Sequence, residues 1–321
     1  MAQALQIAVL DGYTLNPGDL DWQLLESLGT LKVYDHSVPE VLLERAQGQA
    51  VLVVNKALIT RALMKQLPDL RLITLTATGY NNIDIEAAKD LGIQVCNVRG
   101  YGSHTVAQHV FALIFSFTNQ VWQHHQSVQQ GDWSKQSNFC YTLDTLHELQ
   151  GKTMGIYGLG KIGQSVAQIA LAFSMQVLAH HKHPERDARP GVEFVEVQEL
   201  FERSDFVTLH APLSDQNAGF VNGALLSRMK PSAVLINTGR GGLIHELDLK
   251  AALEGGTISG AALDVLSVEP PREDHPLLGL PNCIITPHIA WASQAARKRL
   301  IVETKANIEA FLTGKSRNVV V

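Results

Sequence analysis

At 321 residues, with 45% hydrophobic and 18% charged residues, the chain is long enough for two domains and apolar enough for an ordinary core. Its net charge of −5, without any basic run, excludes the electrostatic footprint of a nucleic-acid binder. Three isolated cysteines, Cys96, Cys140 and Cys283, lack C-x-x-C spacing, so no disulfide framework or zinc site is expected and a reducing cytoplasm fits best.

The segment from Leu5 to Gly12 reads directly as a strand ending in a turn, with no positive n-region, so no signal peptide is expected there. Short apolar runs and stretches of helical period then alternate, the pattern of parallel sheets covered on both faces. The first third predicts strands at 7–10, 32–34, 51–54, 72–77 and 94–97, with short helices between them. A five-stranded parallel sheet of flavodoxin type accounts for them. A long helix from about 103 to 126 follows, its first half almost entirely apolar, which predicts burial between two layers. The longest apolar run, 110–117, is far short of the ~20 residues a membrane span needs, so no membrane partner is expected. After a polar stretch, 129–150, six strands are predicted at 154–157, 176–180, 206–210, 234–237, 260–264 and 283–286. Six is the count of a full dinucleotide-binding sheet. A helix from about 293 to 312 closes the chain.

Gly158-Leu159-Gly160-Lys161-Ile162-Gly163 fits G-x-G-x-x-G, a weak signal alone. Its context strengthens it: an apolar strand precedes it, and Val166, Ile169, Ala170 and Phe173 follow at helical spacing. The first glycine permits the tight turn, the second lets the backbone approach a pyrophosphate, and the third allows close helix–strand packing. The pyrophosphate would then sit on the helix N-terminus. At the end of the next strand an acidic residue would accept from the adenosine ribose and repel a 2′-phosphate. This sequence has His181 there, with Lys182 and Arg186 near, which tilts the cofactor toward NADPH or dual use. The alternatives are a solvated basic loop with Glu185 as the acid, or a metal site of three histidines. The second is disfavoured because no acidic or cysteine ligand completes it.

Three later strand ends carry ionisable residues: Asn237-Thr238-Gly239-Arg240-Gly241-Gly242, then Asp264 with Glu269 beyond it, then Thr286-Pro287-His288-Ile289-Ala290-Trp291. In open α/β sheets the carboxyl ends of the strands line the ligand crevice, so the three can converge. Reduction of a 2-keto acid needs a cation for the carboxylate, a proton donor for the carbonyl oxygen, and a group that keeps the donor charged. Each residue also has a plainer reading: a surface arginine, an exposed glutamate before Pro270, a core histidine.

In these motifs the sequence resembles the D-isomer-specific 2-hydroxyacid dehydrogenase family, along essentially the whole chain. The resemblance implies an α/β architecture of two doubly wound parallel-sheet domains. A Rossmann cofactor domain, 102–290, is inserted into a flavodoxin-like substrate domain, 1–101 with 291–321. It implies that Arg240 binds the substrate carboxylate, that His288 is the general acid, and that Glu269 holds His288 as imidazolium. Asp264 would accept from the nicotinamide carboxamide. The family's cofactor contacts fall on Thr105, Gly158, Gly160, Lys161, Ile162, Gly163, His181, Lys182, His210, Ala211, Pro212, Thr238, Gly239 and Ala290. Its substrate contacts fall on Lys56, Thr78, Gly79, Arg240 and Trp291, the last equally suited to packing. Gln108 is a departure, since many relatives have a glutamate there.

Within the family, residues 11–20 and Trp291 look most like glycerate dehydrogenases, also called hydroxypyruvate reductases. A homodimer is implied, with the long apolar helix as its dimer element. Glu269 in place of a glutamine argues against a formate dehydrogenase, and the lack of an arginine cluster near Lys56 against a phosphorylated substrate. D-lactate-type reduction, or a cofactor-sensing corepressor on the same fold, are the other readings.

Overall fold

The computed structural model describes residues 4–321. The chain divides into two compact units: residues up to Gly102 together with Ala292–Val321, and Ser103–Trp291.

In the first unit the strands are β1 (Gln6–Val9), β2 (Thr30–Val33), β3 (Val51–Val54), β4 (Leu72–Leu75) and β5 (Gln94–Cys96). They pair in parallel in the order β2-β1-β3-β4-β5, the flavodoxin-type winding. The runs Val-Leu-Val-Val of β3 and Leu-Ile-Thr-Leu of β4 are buried throughout, as central parallel strands covered on both faces require. Helix Gln294–Leu312 rejoins this unit and packs on β4. Ser293 caps it, its Oγ accepting from the Ala296 amide at 3.3 Å. Arg297 on that helix is only 7% exposed, so its guanidinium must be fully satisfied. It donates to the carbonyls of Leu15 and Ala292 and, at 2.6 Å each, to both carboxylate oxygens of Asp19. This bond, and with it the Arg297 charge, holds Asp19 below the usual carboxylate range. The pair ties the 12–20 loop to the last helix.

The second unit contains β6 (Thr153–Tyr157), β7 (Gln176–His180), β8 (Val192–Phe194), β9 (Phe206–Leu209), β10 (Val234–Asn237), β11 (Gly260–Leu263) and β12 (Cys283–Ile285). Their order is β12-β11-β10-β9-β6-β7-β8, all parallel, so the winding reverses between β6 and β9. That reversal is where a doubly wound sheet opens its ligand crevice. The sheet has seven strands rather than the predicted six. The extra strand, β8, is three residues long and pairs only with β7 at the edge, too short for any alternation to register. The predicted single long helix is also corrected. It is two, Ser103–Thr118 and Val121–Gln129, separated at Gln120, which takes a left-handed φ of 48°. The first buries Val106, Ala107, Val110, Phe111, Leu113 and Ile114, and packs on helix Lys161–Ala172. Among the described residues no helix is long and apolar enough to cross a membrane.

Several strands stop short of their predicted ends. Ala77, Asn97, His210, Asp264 and Thr286 all lie in the loops just beyond β4, β5, β9, β11 and β12. His210, Asp264 and Thr286 still donate their amides to the carbonyls of Tyr157, Asn237 and Leu263 on neighbouring strands, so the chain leaves the sheet only after them.

Candidate active site

The fingerprint turn links β6 to helix Lys161–Ala172. Gly158 has φ of 99°, and a Cβ there would lie 2.8 Å from the Ala211 amide nitrogen, so the turn is packed against the loop after β9. A Cβ on Gly163 would meet the Gly158 carbonyl at 2.3 Å, which enforces the close helix–strand approach. A Cβ on Gly160, in contrast, would meet nothing within 4 Å. That opening beside the helix N-terminus suits a pyrophosphate. Lys161 and Ile162 begin the helix.

After β7, His181 Nδ1 accepts from the Leu159 amide at 3.1 Å, so its Nε2 carries the proton and donates to Asp187 at 2.7 Å. The acid tied to this loop is therefore Asp187, not Glu185. Arg186 and then His181 hold the Asp187 carboxyl down to about 2. Lys182 is exposed. After β9 and β10, His210 Nδ1 and Thr238 Oγ1 are shielded from solvent without a hydrogen-bond partner in the protein. Burial pushes His210 down to about 3, which keeps the imidazole neutral. Shielded, unsatisfied polar atoms are rare in native structures, and these two, in the loops after β9 and β10, are polar groups a bound dinucleotide could satisfy.

The Arg240 loop is built by Asn237, whose amide donates to the Arg240 carbonyl at 2.9 Å and accepts from the Gly239 amide at 3.0 Å. The guanidinium is exposed and, among the described residues, bonded only to the Gly239 carbonyl, at 2.8 Å. A Cβ on Gly241 would lie 1.9 Å from the Leu266 carbonyl carbon, so this loop presses against the segment that carries Glu269. Glu269 Oε1 accepts from the Leu266 amide at 3.0 Å, and Oε2 lies 2.5 Å from His288 Nδ1. The same segment is clamped by Glu246, which accepts from the Ser267 amide at 2.8 Å, the Ser267 hydroxyl at 2.6 Å and His275 Nε2 at 3.2 Å. A histidine oriented through Nδ1 by a carboxylate, with Nε2 left for proton transfer, is the arrangement of a general acid.

The matching family model, "D-isomer specific 2-hydroxyacid dehydrogenase, NAD binding domain", covers residues 111–290. A hydroxypyruvate reductase of Blautia hydrogenotrophica is 42% identical over 98% of this chain and 99% of its own length. The chain belongs to the D-isomer-specific 2-hydroxyacid dehydrogenase family. A glycerate dehydrogenase of Methylorubrum extorquens is 42% identical over 88% of each chain. Among solved structures, an acyclic imino acid reductase in complex with NADPH and D-Arg is 33% identical, with a TM-score of 0.86 over 99% of this chain and 100% of that one. As a family member, the protein is a nicotinamide-dependent oxidoreductase.

Of the remaining predicted residues of this dehydrogenase, Thr105 lies in the first turns of helix Ser103–Thr118, and Ala290 is buried and Trp291 half-buried beyond β12. Asp264 is 2% exposed, and its carboxylate already accepts from Thr286 Oγ1 and the Ile289 and Ala290 amides. In the other unit Lys56 follows β3, and Thr78 and Gly79 follow β4. Asp11 organises the Lys56 loop, its carboxylate accepting from the amides of Asn55, Lys56 and Ala57. The Thr78 hydroxyl is given to the Val98 carbonyl at 2.7 Å, and Asn97 donates to the Thr78 carbonyl at 2.7 Å. Sequence reasoning missed Asp187, Glu246, Asp11 and His109. Only His109 left a signal: a histidine one helical turn after Thr105, beside Gln108 and ahead of an apolar run.

Proposed function

We propose that this dehydrogenase reduces hydroxypyruvate to D-glycerate, and glyoxylate to glycolate, with Arg240, Glu269 and His288 as its catalytic residues. The observation that carries the reading is the 2.5 Å contact of Glu269 with His288 on a segment packed against the Arg240 loop. The relatives named hydroxypyruvate reductase and glycerate dehydrogenase support the choice of substrate. Bound NAD(P)H supplies the hydride. Arg240 anchors the carboxylate of the keto acid and draws charge from its carbonyl. His288 Nε2 delivers a proton to the carbonyl oxygen, while Glu269 holds the Nδ1 proton and the ring orientation. Lys56 and the Thr78–Gly79 loop offer the carboxylate a cation and backbone amides, and Trp291 bounds the substrate.

On the cofactor side, Thr105, Gly160, Lys161, His210, Thr238 and Asp264 are assigned to the dinucleotide. NADPH or dual use fits the ribose end. Lys182 is exposed there, and the Asp187 charge is already spent on Arg186 and His181. A homodimer is supported by the segment after Gln120, where the large apolar side chains of Val121, Trp122 and Phe139 are 71%, 66% and 89% exposed. Light scattering that gives a monomer overturns that assignment. Free cysteines fit a reducing cytoplasm.

Initial rates with hydroxypyruvate, glyoxylate and pyruvate, each with NADPH and NADH, test the reading. Hydroxypyruvate is expected to have the highest kcat/KM, and NADPH to match or exceed NADH. Preference for a bulkier keto acid overturns the substrate, and strict NADH use overturns the cofactor assignment.

A further inference from the structure

The loop after β12 presents His288 in a conformation that residues with a Cβ rarely adopt, a φ of 55°. Such a turn persists only where its surroundings over-determine it. Here the support converges on Asp264. Its carbonyl accepts the His288 amide at 2.9 Å, and its carboxylate accepts the Ile289 and Ala290 amides, each at 2.9 Å. Successive amides after a left-handed residue form a concave anion site, and the anion filling it is this side chain. At 2% exposure the carboxylate depends on such donors in place of water.

One more donor leads out of the loop. The Thr286 hydroxyl lies 2.6 Å from Asp264 Oδ1, and a hydroxyl has a single proton to give. With the hydroxyl donating to the carboxylate, Thr286 Oγ1 can only accept from its other neighbour. That neighbour is His109 Nε2, 3.1 Å from Thr286 Oγ1 and 3.5 Å from Asp264 Oδ1. His109 Nε2 therefore carries the hydrogen. It is brought there by helix Ser103–Thr118, whose buried neighbours Val106 and Val110 anchor the helix in the core.

We propose that His109 is a positioning residue for hydride transfer: it fixes the Thr286 hydroxyl on Asp264, and through Asp264 the left-handed turn that presents His288. It touches no reacting group. The inference rests on the reductase reading above, with His288 as the general acid. Loss of the His109 donor lets the Thr286 hydroxyl rotate away, the turn relaxes, and His288 leaves its aligned position. Misplacement by about 1 Å is enough to cost ~10²-fold in rate.

The test compares His109→Leu, His109→Gln and Thr286→Val. Glutamine keeps a donor nitrogen at a comparable reach, and leucine keeps bulk without a donor. His109→Leu is expected to lose about 10- to 100-fold in kcat, with hydroxypyruvate KM, NADPH binding and Tm near wild type. His109→Gln restores most of the rate, Thr286→Val behaves like the leucine variant, and combining Leu and Val adds little. Wild-type kcat in His109→Leu overturns the proposal. So does an equal loss in the leucine and glutamine variants that tracks a fall in Tm. Independently of turnover, long-range proton–nitrogen NMR is expected to find the hydrogen on His109 Nε2. The Ile289 and Ala290 amide signals should move in His109→Leu but not in His109→Gln. A hydrogen on Nδ1 alone, or unmoved amides, overturns the network. A wild-type enzyme with the expected NMR signature but no keto-acid reduction overturns the reductase reading instead.

Discussion

The two parallel sheets solve the same problem, a loop held open at a strand end, by different bonding. In the unit of β1–β5 the loops are tied from side chain to backbone. Asp11 takes three amides of the 55–57 turn, Asn82 donates to the Ala57 carbonyl at 2.9 Å, and Asn97 and Thr78 bond to carbonyls. Such ties consume side chains and leave backbone groups as the surface on offer. In the unit of β6–β12 side-chain-to-backbone ties of the same kind, from Asn237, Glu269 and Asp264, are joined by ties between side chains: His288 to Glu269, His181 to Asp187, and Thr286 to Asp264. These leave ionisable groups on offer. In the proposed reading, the first unit cradles the substrate anion with fixed dipoles and the second moves charge and protons.

That contrast can be broken at either side. After His288, the largest effect is expected at Arg240. Losing charge-assisted hydrogen bonds to a carboxylate, about 3 kcal/mol, predicts that Arg240→Ala lowers kcat/KM for hydroxypyruvate by about 10²-fold. NADPH binding should change little, as steady-state kinetics with a fluorescence titration will read. Gly241→Ala comes next. A methyl 1.9 Å from the Leu266 backbone must push the Arg240 loop off the Glu269 segment. Overpacking of this kind costs about 1–3 kcal/mol, visible as a lower Tm together with a lower kcat.

Asp11→Asn tests the backbone cradle. An amide oxygen accepts in place of the carboxylate but without its charge, so the 55–57 turn loosens and KM for the keto acid rises about tenfold, the equivalent of ~1.4 kcal/mol, with cofactor affinity unchanged. A change in cofactor affinity instead would erase the distinction between the two units. The smallest effect is at Asp187. Its carboxyl is held at about 2 against an ordinary 3.8 by Arg186 and His181, so it favours the folded state fully above about pH 4. That contribution is lost as pH falls through 2. Asp187→Asn should flatten the fall in Tm between those values, and an unchanged slope would remove the carboxylate from the account.

Much of this was legible along the chain because it is contiguous. The buried runs of β3 and β4 announce themselves as central strands, and the glycine turn, the Arg240 loop and the Thr286–Trp291 segment are compact motifs whose order matches the order of strands. What escaped depends on the chain folding back on itself. Asp187 reaches His181 across a short helix, Glu246 clamps Ser267 from 21 residues away, and Asp11 meets the 55–57 turn only because β1 and β3 are neighbours. The break at Gln120 needs a left-handed residue that carries no composition signal, since neither glycine nor proline marks it. Propensity and spacing describe local structure, and these features are tertiary.

That His288 delivers the proton to the carbonyl and does not itself bind the cofactor is tested most directly by single-turnover oxidation of NADPH with hydroxypyruvate in His288→Ala. Unchanged NADPH affinity and a rate lower by ~10²–10⁴-fold are expected. A His288→Ala protein that turns over at the wild-type rate would contradict it.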